Sequence, residues 1–129
     1  NYIDPTGAID FDNALLFCRR LLAEFPFRAI HLRMTSDRAY NILAHESLDF
    51  VYLDGNHHNP QISKDLHNYW NIVRPGGLFC GHDYYNVDTP NYRCEVKTSV
   101  DTFLEYTKHD DFFVTEECTS WYIRKPANT

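Results

Sequence analysis

Leu48-Asp49-Phe50-Val51-Tyr52-Leu53-Asp54-Gly55-Asn56-His57-His58 is the stretch from which the fold can be read. Its first half is nearly continuous apolar sequence, and Asp54-Gly55 stops the run. A strand buried on both faces of a parallel sheet reads this way, because neither of its faces meets water. Asn59-Pro60 follows, an N-cap with proline at the first helical position. Ile62, Leu66, Tyr69, Trp70 and Val73 then recur at helical spacing. Pro75-Gly76-Gly77 predicts a turn, and Leu78-Phe79-Cys80 predicts a second buried strand ending at Gly81-His82-Asp83.

The same alternation extends outward in both directions. Towards the N-terminus, Ser36 or Asp37 can cap a short helix through Leu43, and Phe27 to Leu32 reads as a short strand. Phe11, Ala14, Leu15, Cys18, Leu21, Leu22 and Phe25 mark one face of a helix over residues 11–25, capped by Asp10 and ended by Pro26. Tyr2-Ile3-Asp4 reads as the stub of a strand, broken by Pro5-Thr6-Gly7. Towards the C-terminus, a polar loop precedes a third long helix marked by Val96, Val100, Phe103 and Leu104. Phe112 to Val114 and Trp121 to Ile123 close the chain as an antiparallel hairpin. The expectation is one α/β domain over residues 1–129, with a Rossmann-like, mostly parallel sheet covered by helices on both faces.

Composition narrows the functions available. The 129 residues are 43% hydrophobic, enough to bury a core. A net charge of -6 without a basic stripe argues against nucleic acid as a partner. No apolar run approaches membrane-spanning length, so a membrane is not an expected partner either. The four cysteines show no C-x-x-C spacing and read as free thiols in a reducing compartment, which points to the cytoplasm.

Open parallel sheets bind ligands beyond the carboxyl ends of their strands. The residues placed there are Asp4, then Thr35-Ser36-Asp37, then Asp54-Gly55-Asn56-His57-His58, then Gly81-His82-Asp83-Tyr84-Tyr85. Taken singly, each has an ordinary reading: a turn, a helix cap, a surface histidine. Together they gather carboxylates and imidazoles at one edge. Asp54 and Asp83 should end neighbouring strands, and two adjacent carboxylates favour a cation between them or a raised pKa in one. Oxygen ligands suit Mg²⁺, and added imidazole also suits Mn²⁺, Fe²⁺ or Zn²⁺. His57 can alternatively remove a proton from a substrate hydroxyl. A carboxylate at Asp4 can hold both hydroxyls of a ribose.

The run Leu48 to His57, followed by Asp65, Trp70, Arg74-Pro75-Gly76-Gly77 and Gly81-His82-Asp83-Tyr84, resembles the second half of class I S-adenosylmethionine (SAM)-dependent methyltransferases. It is most similar to the small-molecule O-methyltransferase branch, near the macrocin O-methyltransferase and cephalosporin-hydroxylase-like families. The resemblance implies that Asp4 holds the SAM ribose and that Ser36 and Asp37 lie near its adenine. It implies a divalent cation, Mg²⁺ or another, at Asp54 and Asp83, and catalytic roles for His57 and Asp54. His82 stands where such enzymes often have another residue, and it is expected as a third metal ligand from its place beside Asp83. A small-molecule acceptor is the implied partner, and Tyr84, Tyr85 and Tyr92 are candidates to line its pocket.

One departure bears on this. The family's opening strand and glycine-rich loop have no counterpart, since Gly7, Gly55, Gly76, Gly77 and Gly81 make no G-x-G pattern. In the family's sheet that strand lies between those ending at Asp4 and Asp54. Those two strands should therefore not pair with each other, and the expectation is either that the chain is a piece of a longer protein or that another chain or segment completes the sheet. The competing functional expectation is a non-catalytic, degenerate methyltransferase-fold fragment or structural subunit.

Overall fold

The computed structural model describes residues 10–109 and 111–127, in two units divided between Met34 and Thr35. In the first unit Asp10 caps α1 (Phe11–Leu21), its Oδ1 accepting the Asn13 N–H at 3.0 Å. The helix stops at Leu21, short of Pro26, and Phe25 and Arg28 continue in turns, their N–H groups donating to the Leu22 and Phe25 carbonyls. The strand expected over Phe27 to Leu32 does not form. The Ala29 N–H also bonds the Phe25 carbonyl, and Phe27 and Ile30 are 99% and 87% exposed. An extended segment needs a neighbour to satisfy its backbone groups, and no described strand pairs with this one. The strand expected at Tyr2 to Asp4, and Asp4 itself, lie outside the described residues.

In the second unit Thr35, rather than Ser36 or Asp37, caps α2 (Ser36–Tyr40) by accepting the Arg38 N–H. The helix also ends before Leu43. The apolar run forms the expected strand, β1 (Leu48–Leu53), but only Val51 of it is buried, so it is not covered on both faces. Pro60 takes the cap position of α3 (Gln61–Ile72), and the Asn59 side chain instead accepts the Ser63 hydroxyl at 2.5 Å. Val73 leaves the helix and begins β2 (Val73–Gly81).

The expected Pro-Gly-Gly turn is present as an excursion inside β2. Leu48 pairs with Val73, but Phe50 already pairs with Leu78, so Arg74 to Gly77 bulge out of register. Gly76 there takes φ +75°, and a Cβ on Gly77 would sit 2.7 Å from Val73 Cγ1 and 2.9 Å from the Asp49 carbonyl oxygen. Beyond the bulge the two strands run parallel to the Leu53–Gly81 pair.

The polar loop expected after Asp83 contains a hairpin, β3 (Asn86–Thr89) and β4 (Tyr92–Glu95), in a sheet of its own. Then come α4 (Val96–Thr107), β5 (Phe112–Val114) and β6 (Trp121–Arg124). The main sheet has the order β1-β2-β6-β5, with only β1 and β2 parallel and both other pairings antiparallel. The terminal hairpin makes the sheet mixed, as its antiparallel pairing implied, but among the described residues the sheet is not mostly parallel, because the strands that would extend its parallel half are not among those formed.

The core of this unit lies on one face of the sheet. Phe79, Trp121 and Ile123 meet Leu66 of α3 and Val100 and Phe103 of α4, all at most 1% exposed. Phe79 and Trp121 cross edge-to-face at 5.5 Å. Burying each such apolar side chain contributes roughly 1.5–3 kcal/mol. The helices of this unit do not cover both faces as expected, since Phe50, Tyr52, Phe113 and Tyr122 on the opposite face are exposed.

Candidate active site

Because Leu53 and Gly81 are register partners, the segments leaving β1 and β2 start side by side. The His82 N–H donates to the Leu53 carbonyl at 2.9 Å and extends the pairing by one bond. Asp83 then takes φ +57°. Aspartate tolerates this left-handed conformation better than most side chains, and such backbone strain concentrates at functional sites. The turn brings Asp83 into the unit, with its side chain 13% exposed, whereas Asp54 remains 55% exposed.

His57 closes the group. Its Nε2 lies 3.5 Å from Asp54 Oδ1 and 3.4 Å from Asp83 Oδ2, and the three ligand-capable atoms lie within 4.8 Å of one another. Neither contact is a hydrogen bond, and Nε2 is buried without a partner. His82 sits beside this group rather than within it: its Nδ1 is 2.7 Å from Asp83 Oδ1. One Asp83 oxygen thus faces His82 and the other faces His57. Two carboxylate oxygens and an imidazole nitrogen make a donor set that fits a divalent cation with bonds of about 2.0–2.4 Å.

Ser36 and Asp37 line a neighbouring cleft of about 370 Å³ together with Thr35, Gly55, Asn56, Gln61 and Asp65. Gly55 and Asn56 join this cleft to the Asp54–His57 loop in sequence. Gln61 Nε2 donates to Ser36 Oγ at 3.1 Å and to Asp65 Oδ1 at 2.8 Å. The Tyr69 hydroxyl donates to the Ser36 carbonyl at 2.9 Å. Burial, then the charges of Asp65 and Asp37, pushes that phenol's pKa up. Gln61 and Asp65 were not anticipated as cleft residues. The available signal was a carboxylate in the apolar stripe of α3, where Asp65 is 5% exposed between Ile62 and Leu66.

The three tyrosines divide. The Tyr84 hydroxyl donates to Asp101, while those of Tyr85 and Tyr92 pair at 3.2 Å. The Tyr85 phenol is driven well above its ordinary pKa, first by the bond to Tyr92, then by burial and the Asp83 charge. A phenol shifted in this direction keeps its proton beside Asp83.

An α/β unit with polar groups gathered at its parallel strand ends has the form of a methyltransferase-type domain. The chain belongs to the Methyltransferase domain family, whose profile matches residues 4–84, more than half of its length. No curated protein matches it. A Corynebacterium glutamicum protein of known crystal structure is similar over 92% of this chain and 57% of its own, with 14% identity and a TM-score of 0.63. A possible exported protein from Bordetella parapertussis is similar over 98% of this chain and 52% of its own, with 16% identity and a TM-score of 0.55. At such identities the likeness is one of fold. The chain spans little more than half the length of either structure. No helix among the described residues is long and apolar enough to cross a membrane.

Proposed function

We propose that this domain transfers a methyl group from SAM to an oxygen of a small molecule, with a divalent cation held by Asp54, His57 and Asp83. The buried, unpartnered Nε2 of His57 between two carboxylates carries this reading, because a buried polar atom without a partner is costly unless something meets it. Bound SAM supplies the methyl group, and a bound cation supplies the Lewis acidity that lowers the pKa of an acceptor hydroxyl. Asp54 and Asp83 present the anionic oxygens, and His82 orients the Asp83 carboxylate from its far side. The cleft of Ser36 and Asp37 is proposed for the adenine and Asp4 for the ribose, both by family resemblance. The outer edge of β1, unpaired among the described residues, is proposed as the place where another segment or chain completes the sheet. Four free cysteines accord with a cytoplasmic setting.

A second enzymatic reading rests on the same nitrogen. Without a cation, His57 Nε2 is the base that accepts the acceptor's proton, and the flanking carboxylates stabilise the imidazolium that forms. The non-catalytic reading keeps the domain as a structural subunit.

Calorimetric titration of the chain with S-adenosylhomocysteine, with and without Mn²⁺, separates these readings. The proposal expects binding of both ligands. Nucleoside binding without Mn²⁺ binding leaves the His57-base reading, and binding of neither removes the enzymatic readings for this chain. Asp54→Ala is expected to abolish methyl transfer while changing stability by less than about 0.5 kcal/mol, because an exposed strand-end carboxylate packs against little.

A further inference from the structure

The hairpin of β3 and β4 ends on the site. Its last residue, Glu95, touches the His57 loop twice. The Glu95 N–H donates to the His57 carbonyl at 2.9 Å, and Glu95 Oε2 accepts the Asn59 N–H at 2.9 Å. The other carboxylate oxygen, Oε1, accepts from Arg93 Nη2 at 2.7 Å, so both oxygens are engaged and the side chain has one orientation. The Asn59 N–H, followed by Arg93, holds this carboxyl below the ordinary glutamate pKa.

A closed ring of bonds surrounds these contacts. Asn59 Nδ2 donates to Ser99 Oγ at 3.0 Å, and Ser99 Oγ donates to the Glu95 carbonyl at 2.8 Å. Ser99 is 4% exposed, so the ring is anchored in α4. The residue before Glu95 reaches the other loop: Cys94 Sγ lies 3.4 Å from the Tyr85 carbonyl oxygen. Adjacent residues of β4 therefore hold the two loops that carry His57 and Asp83.

We propose that Glu95 is a positioning residue for the cation site, fixing the His57 loop so that Nε2 faces Asp54 and Asp83. This rests on the reading of those three residues as cation ligands. The polar partners of Glu95 are the His57 carbonyl, the Asn59 N–H, Arg93 and Ser99 rather than the three side chains themselves. Its carboxylate acts on His57 through the backbone at Asn59, and a loop free to shift would carry the imidazole away from the carboxylates.

The test is a Mn²⁺ titration of the full chain, read by the loss of the free-ion electron paramagnetic resonance signal, alongside thermal unfolding. Partners outside the ligand set typically contribute 10–100-fold to metal affinity, so Glu95→Ala should weaken Mn²⁺ binding by about tenfold or more. Glu95→Gln keeps an oxygen acceptor for the Asn59 N–H and should recover most of that affinity. Asn86→Ala cuts the bonds between β3 and Thr98 of α4 without touching the His57 loop, and should leave affinity unchanged. Equal Mn²⁺ affinity in Glu95→Ala and the unsubstituted chain would overturn the role while leaving the ligand assignment intact. Equal weakening by Asn86→Ala would reduce Glu95 to general support of the hairpin. Failure of the unsubstituted chain to bind Mn²⁺ would remove the cation site, and this role with it.

Discussion

His57 Nε2 stands 3.4 Å from Asp83 Oδ2 without a hydrogen bond between them, although the two residues come from different loops. The parallel register of β1 and β2 creates that proximity. Leu53 opposes Gly81, and each strand hands its loop to the same point.

Asp83 combines a charge with a left-handed backbone, and two substitutions separate them. Asp83→Asn removes the charge but keeps a side chain that accepts φ +57°. It should lose Mn²⁺ binding with little change in unfolding midpoint. Asp83→Ala should lose binding as well and in addition be less stable than the Asn variant by up to about 1 kcal/mol, because both carry a β-carbon but only the short polar side chain of Asn can hydrogen-bond locally and offset the left-handed cost. Chemical denaturation of both variants beside Mn²⁺ titration checks the pair. Similar stability in the two would mean that the backbone strain is absorbed elsewhere.

Gly81 is required by packing rather than by φ. A Cβ there would lie 2.6 Å from the Leu53 carbonyl oxygen and 2.7 Å from Trp121 Cζ2. Neither can retreat easily, since one is ladder backbone and Trp121 is fully buried. Gly81→Ala is therefore expected to destabilise by about 1–3 kcal/mol, the range for overpacking, and to weaken Mn²⁺ binding because Asp83 follows directly. An unfolding midpoint equal to that of the unsubstituted chain would contradict this packing account.

Cys80 supplies a pH dependence. Burial raises its thiol from 9.0 to about 11, and its Sγ–H donates to the Val51 carbonyl at 3.1 Å. A raised folded pKa means that the folded state keeps a proton which the unfolded state gives up first. The contribution is complete below about pH 9 and is lost as pH rises through about 11. Stability measured by urea unfolding should fall across that window, and Cys80→Ala should flatten the fall. A Cys80→Ala curve parallel to that of the unsubstituted chain would assign the loss to other groups, the half-buried Tyr69, Tyr84 and Tyr85 first.

Much of the fold can be traced to local pattern. The apolar runs at Leu48 to Leu53 and Leu78 to Cys80 became adjacent parallel strands, and the helical stripes from Phe11, Ile62 and Val96 became α1, α3 and α4. These signals act through each segment's own periodicity, which set the element type even where little is buried, as in α1, none of whose residues is buried. The β3–β4 hairpin left no such signal: Asn86-Val87-Asp88-Thr89 is polar and largely exposed, and it pairs only because Tyr92 to Glu95 returns alongside it. Phe27 to Leu32 shows the opposite failure, with strand-like composition but no strand beside it among the described residues.

The sequence by itself determined which chemical groups stand at the strand ends, since each apolar run stops where Asp54 and His82-Asp83 begin. It also determined the family, through residues 4–84. Only the tertiary structure decided how those groups meet. His57 belongs with Asp54 and Asp83, while His82 stands behind Asp83, and Glu95 grips the loop from a hairpin that the sequence pattern did not reveal. The physical reason is that burial pattern is a property of each segment alone. Convergence within a few ångströms depends on strand register, on one left-handed residue at Asp83, and on hydrogen bonds between segments far apart in the chain.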